Sequence, residues 1–163
     1  MFKFEEQFAW QERYIGTVVQ LIAPHLITVS SPEVDKNKNG DLEIAFPRNG
    51  TVAVRLRTQK YAQYAGEVTF RSRSKHNGKT EISKIIDGYG DYFFYGHVGS
   101  ENIIWYWHLL SLNEVRASFT RNSSMLLRSQ MPNGDGTWFL PFKVERDFPR
   151  AVIAHHDSRE IAA

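Results

Sequence analysis

The central third of the chain constrains the fold most. Its apolar residues first occur at every second position and then at every third or fourth position, which is the spacing of a helix. Residues 42–46 and 52–56 alternate apolar with polar or small side chains, and residues 67–70 form a third, shorter run. Such alternation is typical of half-buried strands. Thr80 then suits the cap of a short helix, and Gly88 suits its end. Three strands followed by a helix predict an α/β fold.

The same patterns predict the remaining elements. Apolar residues recur every three or four positions over residues 5–22 and predict one helix that ends before Pro24. Ser111 and Glu114 form a capping box for another short helix. Residues 30–40 are polar and rich in turn formers, which predicts a surface loop, and a loose polar tail is predicted at the C-terminus. Further strands are predicted at residues 26–29, 92–98, 103–109 and 137–144.

The first two strands of the central segment are predicted to pair with each other. A five-residue loop between them brings both apolar faces to the same side of the sheet, whereas a two-residue turn at Asn49-Gly50 does not. In this register Asp41 lies opposite Arg57 and Glu43 lies opposite Arg55. These pairs are either part of a functional site or simple cross-strand ion pairs on a solvated face.

The composition indicates one soluble domain, residues 1–163. The chain has 163 residues, of which 42% are hydrophobic, so it can bury a core of ordinary size. Its 20 Lys and Arg nearly balance 18 Asp and Glu, which argues against a histone-like protein and against an acidic nucleic-acid mimic. Cysteine is absent, which excludes disulfides, thiolate zinc sites and cysteine nucleophiles.

The sequence also predicts where the protein is located. The first six residues are too acidic for a signal peptide, and no run approaches the roughly 18 apolar residues of a membrane span. We therefore expect a cytoplasmic protein with no membrane partner.

The predicted order of helix, three strands, helix and strand over residues 5–98 resembles the core of the PD-(D/E)XK nuclease-like superfamily, also called the restriction-endonuclease-like fold. Residues 79–84 and 87–96 are also similar to small nuclease-like proteins of bacteria and their phages. The resemblance implies a mixed central sheet with flanking helices, here extended by C-terminal strands. In that family a carboxylate at the start of the second strand and a Glu-x-Lys on the third hold magnesium and orient the attacking water.

One position of this chain matches that family motif and one departs from it. Asp41 matches the first carboxylate, but Arg55-Leu56-Arg57 stands where the Glu-x-Lys is expected. A guanidinium there removes a metal ligand and adds a positive charge beside the ion. A metal site then needs another carboxylate, and the candidate donors are Glu81, Glu67 and Glu12.

The resemblance therefore implies nucleic-acid binding or metal-dependent phosphodiester cleavage. Asp41 and Glu81 would hold magnesium, while Arg55 and Arg57 would contact the scissile phosphate. The alternative is a non-catalytic module of the same fold that binds a protein or nucleic-acid partner.

Positive side chains are concentrated in about thirty residues of a chain that is otherwise almost neutral. Phosphate contacts require such a cluster, because counterion release supplies most of the sequence-independent affinity for nucleic acid. A solvated charged surface has the same pattern, so both interpretations stand. Besides Arg55 and Arg57, the predicted nucleic-acid-binding residues are Arg71, Arg73, Lys75, Lys79 and Lys84.

Three further patterns have two interpretations each. Residues 35–41 match the start of a calcium loop, but Phe46 stands at its twelfth position, so a polar connection is the alternative. The aromatic runs at residues 92–95 and 105–107 suit either base stacking or a buried central sheet, and the sheet fits two strands that are apolar on both faces. His97 and His108 are either a general base pair or hydrogen-bonded structural groups.

Overall fold

The computed structural model describes residues 4–29, 42–44, 50–74 and 78–158. The chain divides into two compact units, Met1–Gly50 and Thr51–Ala163. Asp41, Lys75 and the candidate calcium loop at residues 35–41 lie outside the described residues, so the predictions made for them stay predictions.

Two helices and a two-stranded antiparallel sheet are described in the first unit. They are α1 (Phe4–Glu12), α2 (Ile15–Leu26), β1 (Ile27–Val29) and β2 (Leu42–Ile44). In α2 the buried side chains are Val18, Ile22 and Leu26, which are spaced four residues apart and therefore form one apolar stripe.

The prediction of a single helix that ends before Pro24 is wrong in two respects. The helix is interrupted at Arg13 and Tyr14, where the Tyr14 ring is buried and lies 5.2 Å from the Trp10 ring. Beyond the break, α2 continues through Pro24. A proline inside a helix loses one backbone hydrogen bond, but burial of Leu26 beyond it favours the helical path.

The second unit contains a mixed four-stranded sheet in the order β3, β5, β6, β9. Its strands are β3 (Val52–Arg57), β5 (Tyr92–Val98), β6 (Ile104–Ser111) and β9 (Val152–Asp157). β3 runs parallel to β5, and the other neighbours are antiparallel. β5 and β6 are buried along almost their whole length, as expected of central strands. The predicted α/β class with a mixed central sheet flanked by helices is confirmed.

A second, antiparallel sheet of three strands lies in the same unit. It consists of β4 (Glu67–Arg73), β8 (Trp138–Lys143) and β7 (Met131–Pro132), with β8 in the middle. The run at residues 67–70 is therefore a strand, as predicted, but it does not join the sheet that contains β3. Its inward-facing residues Val68 and Phe70 are fully buried, so β4 covers the core from the opposite side.

The predicted hairpin between the first two central strands is wrong. β2 pairs with β1, so that Glu43 is the partner of Thr28, and β3 pairs with β5, so that Arg55 is the partner of Tyr95. The reason lies in β5, which is buried on both faces and needs a neighbour along each edge. The alternation of apolar residues fits either partner, because it defines the faces of a strand and not its neighbour.

The predicted loose tail is also wrong, because residues 152–157 form β9 at the edge of the main sheet. Its alternating burial is typical of an edge strand. His155 is the partner of His108 in this register, and Asp157 is the partner of Tyr106.

Three helices accompany the two sheets: α3 (Glu81–Ile86), α4 (Leu112–Arg121) and α5 (Val144–Asp147). Both predicted caps are confirmed. Thr80 Oγ1 accepts a hydrogen bond from the Ser83 backbone N–H at 3.1 Å, and Ser111 Oγ accepts one from the Glu114 N–H at 3.5 Å. Two 3-10 helices, Gln59–Tyr64 and Ser123–Leu127, complete the connections.

The core of the second unit is built around aromatic rings. Phe70 has neighbouring ring centroids at 5.1 to 6.5 Å. The rings it contacts are Phe93, Phe119, Phe142 and Phe148. They come from both sheets, from α4 and from the residue that follows α5, so this cluster joins the two sheets. Within the described ranges, no helix has the length and apolar character needed to cross a bilayer.

Candidate functional site

One face of the main sheet has an unusual number of polar side chains. Arg55 and Arg57 alternate with apolar residues on β3, so their side chains project from the same face. The parallel register places Arg55 beside Tyr95 and Arg57 beside His97 on β5. This face therefore presents two arginines, a tyrosine and a histidine within two neighbouring strands.

Glu81 joins this face to the neighbouring elements. One of its carboxylate oxygens accepts a hydrogen bond from Arg55 Nη2, and the other accepts one from the Arg71 backbone N–H at 2.8 Å. Arg55 Nη1 also donates to the Thr69 carbonyl oxygen at 3.1 Å. The exposed side-chain fractions are 16% for Arg55 and 29% for Glu81. This bridge connects α3 to β3 and β4.

Burial lowers the pKa of Arg55, while the charge of Glu81 acts in the opposite direction. A guanidinium remains protonated in proteins, so the ion pair persists at neutral pH. Both oxygens of Glu81 accept hydrogen bonds from protein donors, and a metal bound there would compete with Arg55. In the part of the chain that the structure describes, no group of three or more His, Asp or Glu side chains has metal-binding geometry.

Arg57 has neutral partners. Its Nε donates to the Tyr95 hydroxyl at 2.8 Å and its Nη2 donates to Thr69 Oγ1 at 2.5 Å. The guanidinium carbon lies 5.4 Å from the Tyr61 ring centroid and 5.6 Å from that of Tyr95. It makes no ion pair with the residues described here. The charge of Arg57 is thus oriented by hydroxyls and rings and is not neutralised by a bridging carboxylate.

A single phenylalanine ring lies among three arginines. The guanidinium carbons of Arg55, Arg57 and Arg71 are 5.5, 5.7 and 5.9 Å from the Phe139 ring centroid. Phe139 lies on β8 and is the register partner of Arg71 on β4. The two sheets therefore bring three positive charges to one aromatic ring, an arrangement that cation–π attraction stabilises.

Arg57 lines a cavity of about 250 Å³ in the second unit. The cavity is lined by rings and polar groups, including Arg57, Tyr61, Tyr64, Tyr95, His97 and Phe139. One carboxylate, that of Glu67, also lines it. Concave sites with several aromatic side chains and a few oriented polar groups are typical of ligand binding.

The other predicted binding residues lie on β4, on α3 and in the segment before α3. Arg73 is exposed at the end of β4, and Lys84 is exposed on α3. Lys79 pairs with Asp87 at 2.7 Å, and its amine lies 5.3 Å from the Tyr89 ring. Thus Arg55, Arg57, Arg71 and Glu81 meet in one cluster, while Arg73, Lys79 and Lys84 lie on neighbouring surface.

Both histidines of the central strands are buried, and His108 fits the interpretation of a hydrogen-bonded structural group. His97 is 1% exposed and His108 is 4% exposed. The Tyr106 hydroxyl and His108 Nε2 are 2.6 Å apart. Burial, together with the nearby His155 and His97, lowers the pKa of His108 to about 4. His108 is therefore neutral at physiological pH.

Several residues of the site could not be chosen from the sequence. Tyr61, Thr69 and Phe139 contact Arg57 from three different elements. Tyr95 belongs to an aromatic run, and its ring is buried as expected of a central sheet, while its hydroxyl accepts a hydrogen bond from Arg57. The one feature of the sequence that indicated this site was the arginine pair on β3, because a half-buried strand seldom carries two arginines on one face.

Comparison of this chain with protein-family models, with curated proteins and with solved structures gives no match.

Proposed function

We propose that this protein binds nucleic acid through Arg57 and the aromatic cavity beside it, which we call the Arg57 pocket. The observation that carries the proposal is an arginine that has no carboxylate partner among the described residues and has the rings of Tyr61, Tyr95 and Phe139 around it. Arginine and aromatic side chains together are the usual means of holding a phosphate and stacking a base.

The difference between the two arginines of β3 supports this assignment. Arg55 is neutralised by Glu81, so it contributes to the architecture of the site. Arg57 is held by the Tyr95 and Thr69 hydroxyls, which orient the guanidinium and leave its charge in place. An anion that binds such a partly buried charge offsets part of its desolvation cost.

The size of the pocket suggests what enters it. At about 250 Å³ it lies below the roughly 300–1,000 Å³ of typical small-molecule sites. We therefore assign it one nucleotide unit of a longer strand, with the phosphate on Arg57 and the base against Tyr61. The exposed Arg73 and Lys84 would contact neighbouring phosphates.

Metal-dependent cleavage remains a separate proposal that rests on the resemblance to nucleases. It requires Asp41 and Glu81 to hold magnesium together. Because Glu81 accepts hydrogen bonds from Arg55 and from the Arg71 backbone, it would have to exchange Arg55 for the metal. The geometry therefore favours binding over cleavage.

The binding proposal is tested by fluorescence anisotropy with labelled single-stranded and double-stranded oligonucleotides between 50 and 200 mM salt. Affinity should fall steeply with salt, and Arg57→Gln should reduce the slope of log K against log salt by about one. Tyr61→Ala should weaken single-strand binding by about 1 to 3 kcal/mol. Arg13→Gln, which removes an exposed arginine of the first unit, is the matched control and should change little.

Absence of binding at the lowest salt, or equal binding by the Arg57 and Arg13 variants, would refute the proposal and leave a protein partner as the alternative. Cleavage is tested separately with magnesium or manganese. Asp41→Asn and Glu81→Gln should each abolish it, and activity that survives a chelator would contradict the metal mechanism.

A further inference from the structure

A second cavity lies on a different part of the same unit, at the end of α4. It has a volume of about 340 Å³, and three arginines, Arg121, Arg146 and Arg150, line it together with Ser118 and Asn122. We call it the Arg150 cavity. None of these residues belongs to the Arg57 pocket.

One buried carboxylate organises the floor of the cavity. The side chain of Asp147 is 3% exposed and accepts hydrogen bonds from both terminal nitrogens of Arg128, at 2.7 and 3.0 Å. It also accepts from Arg146 Nε and Nη2, both at 2.9 Å, and from the Lys143 backbone N–H at 2.9 Å. Two guanidinium groups therefore share one negative charge, and one positive charge is left over.

The orientation of Arg146 places part of this unneutralised positive charge toward solvent. Its Nε and Nη2 form the edge that faces Asp147. In a planar guanidinium the N–H groups of Nη1 then lie along the other edge. Because Arg146 itself is largely exposed, with 60% of its side chain accessible, that edge is open to a ligand.

Two more arginines add to the positive charge. Arg121 Nη2 lies 3.9 Å from Glu114 Oε2, and both side chains are about half exposed. Such a surface ion pair contributes little to stability, so Arg121 is available to a ligand. Arg150 is exposed and makes no ion pair within the described ranges. The lining thus carries three arginines against one aspartate whose charge is already shared.

We propose that the Arg150 cavity binds a phosphate monoester. A monoester carries about 1.5 to 2 negative charges at pH 7 and has three acceptor oxygens, which matches several converging guanidinium donors. The cavity is larger than a phosphate alone, so the group it takes is attached to a small molecule or to the end of a nucleic-acid strand. The proposal does not depend on the Arg57 pocket.

The charge of the ligand predicts a characteristic pH dependence. A monoester loses its second charge as the pH falls through about 6. The groups that face the cavity are Arg121, Arg146, Arg150 and Asp147, with Glu114 and Arg128 behind them. This set contains no histidine, the side-chain type that ordinarily changes charge between pH 5 and 8. Affinity should therefore decrease when the pH is lowered from 7.5 to 5.

The experiment is a titration of the full chain with inorganic phosphate, in which binding is measured by isothermal calorimetry and by changes in backbone NMR shifts. We expect saturable binding with Kd on the order of 1 mM or below and shifts at residues 118–122 and 146–150. Arg150→Gln and Arg121→Gln should each weaken binding roughly tenfold, as expected for loss of one charge-assisted hydrogen bond. Arg13→Gln should bind phosphate like the unmodified protein.

Absence of saturable shifts, or equal affinity of both cavity variants and the unmodified protein, would overturn the proposal. The hydrogen bonds of Asp147 come from Arg128, Arg146 and the Lys143 backbone, so these variants should leave the buried ion pair intact, and thermal unfolding checks that they fold. A 5′-phosphorylated oligonucleotide that displaces phosphate, while its unphosphorylated counterpart does not, would assign the site to strand ends. If neither oligonucleotide displaces phosphate, the cavity would be assigned to a small phosphorylated molecule.

Discussion

Replacement of Asp147 by asparagine should destabilise the protein by an amount that depends on pH. Burial alone would raise the pKa of Asp147, but the hydrogen bonds and charges of Arg146 and Arg128 lower it to about 2. The ordinary value is 3.8, so the difference corresponds to about 2 kcal/mol of folding free energy at neutral pH. Asp147→Asn also leaves Arg128 without its carboxylate, which raises the expected loss to about 2 to 4 kcal/mol.

The sign of the pH dependence follows from the lowered pKa. The stabilisation is fully present above the unfolded-state value near 3.8 and is lost as the pH falls through the folded-state value near 2. At pH 3 the titration contribution should have decreased to about 1 kcal/mol. Urea unfolding of the unmodified protein and of Asp147→Asn should therefore give free energies that differ less at pH 3 than at pH 7.

The matched control is Asp87→Asn. Asp87 pairs with Lys79 at the surface, where both side chains are more than 40% exposed, so its loss should cost less than about 1 kcal/mol at either pH. A difference between Asp147→Asn and the unmodified protein that is the same at pH 3 and pH 7 would show that the charge of Asp147 does not contribute to stability. Equal losses in both variants would refute the argument from burial.

Three further predictions concern single residues. Thr80→Ala should lower stability by about 1 kcal/mol, because it removes the cap that accepts from Ser83; thermal unfolding would measure this, and an unchanged melting temperature would contradict it. Gly90→Ala should destabilise by more than about 1 kcal/mol, because φ is +78° and the new Cβ would lie 2.9 Å from Leu112 Cδ1, whereas Gly78→Ala, which meets nothing within 4 Å, should be almost neutral. His108 should titrate near pH 4 in an NMR experiment. Because its folded-state pKa is lowered, about 3 kcal/mol of folding free energy should be lost as the pH falls from about 6.5 to 4. An imidazole that titrates near 6.5 would disprove the burial argument.

Much of the local structure could be predicted because its causes are local. Thr80 and Ser111 cap helices since each side chain reaches a backbone N–H three residues later, and both appear in that role. The strands at β3, β5 and β6 follow from alternation or from continuous apolar runs. Arg55 and Arg57 share a face for a local reason too, because residues two positions apart on a strand project to the same side.

The errors in prediction have a common cause. The hairpin between β2 and β3 satisfied side-chain parity, and parity is compatible with any partner strand. The tail that forms β9 has only moderate alternation, and its place in the sheet depends on the exposed edge of β6. For α2, the apolar stripe of Val18, Ile22 and Leu26 favours a helix that continues through Pro24, and the local rule for proline does not include that burial.

The sequence by itself therefore determined the class of fold, the faces of the strands, the caps of the helices and the position of the arginine pair, because each depends on residues within a few positions of one another. Only the tertiary structure decided which strands became neighbours. That choice placed Phe139 among three arginines, gave Arg57 its hydroxyl partners and brought Arg128 to Asp147. These contacts join residues far apart in the chain, and they form because the central strands must be covered along both edges and both faces.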